Sequence, residues 1–134
     1  MTISFTGTQH GMTPQQRELL RVLLVKRAPL FFVHGGCIGA DDTADAIAAS
    51  LGIHRIVYPG PAGPKRVGDA ELMARGPVTI MPARPTLQRN PVIVGCGDFL
   101  IACPKGTKEI VRSGTWTTVR HGRKQGKPVR ILYP

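Results

Sequence analysis

Aromatic residues are scarce. Only 5% of the 134 residues are Phe, Trp or Tyr, so any core must be mostly aliphatic. Cysteine is scarce too. Cys37, Cys96 and Cys103 are odd in number and show no CxxC spacing, which argues against a disulfide framework and against a zinc site. No metal and no cofactor is expected. No apolar run approaches the roughly 18 residues of a membrane span. The segment Met1-Thr2-Ile3-Ser4-Phe5 has no basic region followed by a long apolar stretch, so it does not read as a signal peptide. A cytoplasmic protein with no membrane partner is the expectation.

Acid is missing from one quarter of the chain. Between Ile110 and Pro134 there is no Asp or Glu, while Arg112, Arg120, Arg123, Lys124, Lys127 and Arg130 all fall there. The net charge of +10 implies an anionic partner through long-range attraction, beyond its plain benefit to solubility. Asp41, Asp42 and Asp45 cluster elsewhere, so two candidate sites would differ in sign. With 42% hydrophobic residues and 19% charged, the chain reads as one ordinary globular domain spanning 1–134.

Apolar stretches and glycine turns alternate. Ile3-Ser4-Phe5 is a short strand leading into Thr6-Gly7-Thr8-Gln9-His10-Gly11. Thr13 reads as an N-cap with Pro14 at the first helical position, and Leu19, Leu20, Leu23 and Leu24 predict a helix over 14–27. Leu30 to His34 is a fully apolar strand of the buried parallel kind, ending in Gly35-Gly36. Asp41 to Leu51 predicts a helix closed by Gly52, and His54 to Tyr58 the next strand. From Pro59 to Pro77 prolines and glycines mark a long loop, of the sort that is usually functional or mobile. Val78 to Met81 either adds a short strand or ends that loop. Pro91 within 84–94 predicts a kinked helix, or a short one beginning beyond it. Asp98 to Cys103 is another buried strand, 113–125 a basic helix closed by Gly126, and Pro128 to Tyr133 the last strand. The order predicts an α/β fold, a three-layer Rossmann-like architecture with a mainly parallel sheet of about five strands flanked by helices.

In such sheets ligands bind beyond the carboxyl ends of the strands. Three glycine-bearing loops should open on that edge. In the last, Arg112-Ser113-Gly114-Thr115-Trp116, free N–H groups at a helix start, two hydroxyls and an arginine make a phosphate cradle; the plain alternative is an N-cap, Ser113, before a tight turn. In Gly35-Gly36-Cys37-Ile38-Gly39-Ala40-Asp41-Asp42 the glycines let backbone approach a ligand. Asp41 or Asp42 would hydrogen-bond ribose or stabilise charge on a sugar, or would simply favour a helix N-terminus. Thr6-Gly7-Thr8 is the weakest of the three, with Gln9 in reach of a base or phosphate and His10 read as an exposed loop residue. Arg84 and Arg89-Asn90 precede a strand; an arginine there either clamps phosphate or lies on the surface. Asp45 reads as a solvated helix residue and His34 as structural. Trp116 either stacks on a base or packs the helix on the sheet, with packing favoured. Cys37 has no matched histidine that would make it a nucleophile.

These segments, in this order, resemble the SLOG superfamily of Rossmann-like domains, which includes the LOG (lonely guy) enzymes and the DNA-processing protein DprA. Gly35-Gly36-Cys37-Ile38-Gly39-Ala40-Asp41, Arg89-Asn90 with Asp98-Phe99-Leu100-Ile101-Ala102, and Ser113-Gly114-Thr115-Trp116 through Gly126-Lys127-Pro128-Val129 carry the resemblance. It implies a last motif that binds phosphate, loops that enclose a nucleotide or nucleotide-derived ligand, and self-association into a homo-oligomer. Small stand-alone members, some in phage and defence contexts, are most similar. The chain departs from LOG phosphoribohydrolases at one decisive place: Thr118 stands where their motif Pro-Gly-Gly-x-Gly-Thr-x-x-Glu has its glutamate. A sensor or sequestering protein for a nucleotide is the first expectation. An N-glycosidase using Asp41 or Asp42, and a DprA-like binder of single-stranded nucleic acid, are the alternatives.

Overall fold

The computed structural model describes all residues, 1–134. Six parallel strands form one sheet in the order β4-β3-β2-β1-β5-β6. The strands are β1 (Thr2–Gly7), β2 (Phe31–His34), β3 (His54–Val57), β4 (Val78–Ile80), β5 (Phe99–Cys103) and β6 (Val129–Ile131). The helices are α1 (Pro14–Arg27), α2 (Ala40–Ser50), α3 (Asp69–Ala74), α4 (Thr86–Cys96) and α5 (Gly114–Lys124). Helices α1 and α2 pack together, and α4 packs with α5, giving three layers. The strand count is therefore six rather than about five, because Val78–Ile80 pairs with β3 at the sheet edge.

The main core is aliphatic with two phenylalanines, as the low aromatic content requires. Ile3, Phe5, Leu20, Leu24, Phe32 and Ile101 are at most 1% exposed. Leu20 and Leu24, one helical turn apart, turn one stripe of α1 onto the sheet. The start of α1 is fixed by a capping box between Thr13 and Gln16, with Pro14 at the first helical position. The Gln16 amide also reaches across the fold, donating to the carbonyls of Pro104 at 3.0 Å and Leu132 at 2.7 Å. It ties the start of α1 to the ends of β5 and β6.

One expectation fails locally and one pair of alternatives is decided. The 59–77 stretch is not loop throughout: Asp69–Ala74 forms α3, with acids in its first turn and Leu72 buried against Val57 and Val67. Of the two alternatives for 84–94, the helix that contains Pro91 is the one formed: α4 begins at Thr86 and runs through it. Tertiary contacts override the proline. Ile93 and Val94 are buried, the Ser4 hydroxyl donates to the Ile93 carbonyl, and Arg89 and Asn90 are buried in the first turns. Leu87, whose carbonyl the missing N–H leaves free, is 80% exposed, so water can take that bond.

Candidate functional site

In parallel β-α-β units every helix that returns to the sheet begins at the carboxyl edge of the strands. The starts of α2, α4 and α5 thus share that edge with the ends of β1, β2 and β5. Together with the 60–66 loop they enclose a cavity of about 820 Å³. The three glycine-bearing loops converge there as the sequence predicts. Thr6, Gly7, Thr8, Gly35, Gly36, Asp41, Arg89, Asn90, Arg112, Ser113, Gly114 and Thr115 all line it. Ile110, Pro61 and Pro64 supply apolar side chains to the wall.

Two candidates lie outside the cavity. Gly39 adopts φ +86°, and a Cβ there would stand 2.4 Å from the Gln9 carbonyl oxygen. It lets the β1 and β2 loops touch each other, and its role is contact between loops rather than with a ligand. Asp42 turns away and accepts from Arg75 at 2.7 Å. Of the two acids proposed for chemistry, only Asp41 faces the cavity. Asp41 is 5% exposed, and its Oδ2 accepts the Cys37 N–H at 3.2 Å. Burial pushes its pKa up, opposed by the nearby His34 ring, the Cys37 N–H and Arg89. The native state then holds a proton that an unfolded carboxyl, with a pKa of about 3.9, has already lost. Stability falls as pH rises through the window between those two values. Asp41→Asn keeps an acceptor for Cys37 and should flatten that dependence. Melting temperatures of the two proteins should converge at pH 3.5 and separate at pH 7, with the asparagine variant at least as stable.

Arg89 is the most constrained cation of the site. It is 6% exposed, donates from Nε to Asn90 Oδ1 at 3.2 Å and from Nη1 to the Gly35 carbonyl at 2.7 Å. Both terminal nitrogens lie 3.6 Å from Cys37 Sγ. The surface-arginine alternative therefore does not hold. Burial, then the charge of Asp41, push the Cys37 thiol up against the pull of Arg89, so thiolate is not favoured. Ser113 is the N-cap of α5, accepting from Trp116 N–H at 3.3 Å, and still lines the cavity. Thr118 is 2% exposed and returns its hydroxyl to the Gly114 carbonyl at 2.9 Å, so it offers no general base. Trp116 is buried against Ala102 and Val119, which makes it a packing residue. His10 is exposed, as read from the sequence.

The largest correction concerns Asp45. It is fully buried, not solvated. His34 Nε2 lies 2.8 Å from its Oδ1, Arg55 donates to both oxygens at 3.0 and 3.2 Å, and Arg75 adds a bond at 3.0 Å. His34 Nδ1 accepts the Gly36 N–H at 3.0 Å, so the network orients the cavity loop. With Nδ1 turned to the Gly36 N–H, Nε2 is the ring nitrogen that faces Asp45.

The sequence also left unassigned Lys65 and Arg66 on the 60–66 loop and Lys105 after β5, all of which line the cavity. The glycine and proline density of the first segment was the available signal.

No protein-family model and no curated protein sequence matches the chain. Solved structures do. The chain resembles DprA from Streptococcus pneumoniae at 18% identity and a TM-score of 0.76, covering 99% of this chain and 50% of that one. It resembles DprA from Helicobacter pylori, described for its single-stranded DNA binding mode, at 19% identity and a TM-score of 0.70, covering 100% of this chain and 66% of that one. It also resembles TM1055, a LOG-family protein, at 16% identity and a TM-score of 0.67, covering 96% and 71%. The chain thus spans half the length of the pneumococcal protein. No helix is long and apolar enough to cross a membrane. The backbone accordingly has the Rossmann-like fold of these DprA structures.

Proposed function

We propose that the protein binds a nucleotide or nucleotide-derived ligand in this cavity, as a sensor or sequestering protein. One observation carries the reading. Lys65, Arg66, Arg89, Lys105 and Arg112 line a cavity whose one carboxylate is Asp41. Of those cations only Arg66 forms an ion pair, with Asp69 at 2.9 Å. A pocket of this size with an excess of fixed positive charge suits an organic anion. Phosphate would sit at Ser113, Gly114 and Thr115, and the Gly35-Gly36 loop would face the sugar.

Cleavage by the LOG mechanism is disfavoured by Thr118, which has no carboxylate. The test is a retention assay. Excess protein is incubated with mono-, di-, tri- and cyclic nucleotides and filtered, and both fractions are chromatographed after denaturation. Intact nucleotide recovered from the protein is the expected result. Free base in the filtrate, lost in Asp41→Asn, would make the protein an N-glycosidase instead.

A second reading, a single-stranded nucleic acid in the same cavity, is favoured by the likeness to DprA and by unpaired Lys65, Lys105 and Arg112 at the wall. It predicts that log affinity falls with log salt at a slope of about −0.7 per phosphate contacted. Affinity absent at low salt would dismiss it.

A further inference from the structure

The cavity holds two separate groups of hydrogen-bond donors that nothing in the protein satisfies. The first is at α5. The N–H groups of Gly114 and Thr115 have no acceptor, as first-turn groups of a helix lack one. Thr115 is 5% exposed, and its hydroxyl, with no partner in the protein, opens on the cavity. The second is at α4. Arg89 is 6% exposed and has no carboxylate within 4 Å. Its Nη2 touches only the Cys37 sulfur, a weak acceptor at 3.6 Å. Because Asn90 Oδ1 faces the Arg89 Nε donor, the amide NH2 of Asn90 has no partner in the protein and opens on the cavity. A buried cation without a counter-ion is costly, and an anion entering the cavity relieves it.

The two groups are not one site. Arg89 is fixed to Gly35 at the end of β2, whereas Trp116 packs the start of α5 over Ala102 of β5. Strand β1 runs between β2 and β5. Two strand spacings separate the groups, about 10 Å, too far for one phosphate to reach both. Asp41 is near enough for its charge and that of Arg89 to attract, but it forms no ion pair with Arg89 and its Oδ2 accepts the Cys37 N–H, which leaves the guanidinium without a direct anionic partner.

We infer that the ligand carries two separated phosphoryl groups, one seated on Gly114 and Thr115 and the other on Arg89 and Asn90. This rests on the nucleotide reading above and narrows it to a nucleoside bisphosphate or a short oligonucleotide, rather than a monophosphate. Between the two anions lies the sugar, over the glycines of the β1 and β2 loops.

Calorimetric titration of the full chain with the 5′-monophosphates and 3′,5′-bisphosphates of the four common nucleosides tests it. At least one bisphosphate should bind about 30-fold or more tightly than its monophosphate, as expected for an added charge-assisted pair. In Arg89→Met that ratio should collapse to about one. Asn90→Leu should reduce the ratio part of the way, and serves if the arginine variant does not fold. Thr115→Val should weaken both ligands by the same factor. A trinucleotide that binds more tightly than any bisphosphate supports the two seats and makes a nucleic acid strand the source. Equal affinity for mono- and bisphosphates overturns the two-seat geometry while leaving the nucleotide reading intact. No binding of any nucleotide overturns both.

Discussion

Asp45→Ala should destabilise the protein by about 3–5 kcal/mol, the usual consequence of removing one member of a buried charge network. That is a large share of the roughly 5–15 kcal/mol that holds a domain together. The reason lies in what remains. Arg55 is fully buried, and without Asp45 it keeps only the carbonyls of Leu72 and Pro77. A cation would then sit in the interior with no anion. Urea unfolding at pH 7 measures the loss. The double variant Asp45→Leu with Arg55→Met should recover much of it, because it removes both charges rather than one. If the single variant unfolds like the native protein, the network is not the stabilising element inferred here. The pH dependence has a definite sign. Burial opposes ionisation of Asp45, but hydrogen bonds from His34, Arg55 and Arg75 prevail and hold its carboxyl well below the usual carboxylate range. Its contribution is complete above the unfolded value of about 3.9 and is lost as pH falls through the lower native value. Asp45 and Asp41, four residues apart on α2, therefore respond to acid in opposite directions.

Gly39→Ala should cost about 2–4 kcal/mol and displace the cavity loops as well. Two effects add. At φ +86° and ψ −126° an L side chain is strained. Its Cβ would also meet backbone rather than a movable side-chain end, standing 2.4 Å from the Gln9 carbonyl oxygen and 2.7 Å from its Cα. Relief requires the β1 loop to withdraw from the β2 loop. The Ala40 N–H, which donates to the Thr8 carbonyl at 2.9 Å, would move with it. The control is Gly63→Ala in the cavity wall. There a Cβ meets nothing within 4 Å and φ is ordinary, so the change should stay within about 0.5 kcal/mol. Thermal unfolding of both variants, with ligand retention, separates loss of fold from loss of site. Equal melting temperatures for the two would show that the loops do not need the contact.

The alternation of apolar strands with helical segments was enough to determine the layered parallel architecture, because each signal is local. Capping at Thr13, the leucine spacing of α1 and the glycine after each buried strand all depend on residues within one turn of one another. The meeting of the three loops on one edge also followed, since parallel strands joined through helices present their carboxyl ends together. The missing carboxylate at Thr118 was likewise legible from the motif alone.

What only the tertiary structure decided depends on residues far apart in the chain. Asp45 looks solvated in its helix because Arg55, Arg75 and His34, which bury it, come from β3, the end of α3 and β2. Gly39 looks like a ligand-binding glycine until Gln9, thirty residues earlier, is seen against it. Asp41 and Asp42 are adjacent and chemically alike, and the helix rotation of about 100° per residue sends one into the cavity and the other to Arg75. Pro91 stays within α4 because packing on β1 and α5 outweighs a local preference. Arg89 is the clearest case. Its residue type suggests an anion, but the absence of any carboxylate paired with a buried guanidinium is a fact of three dimensions, and charge pairing is set by distance rather than by order along the chain.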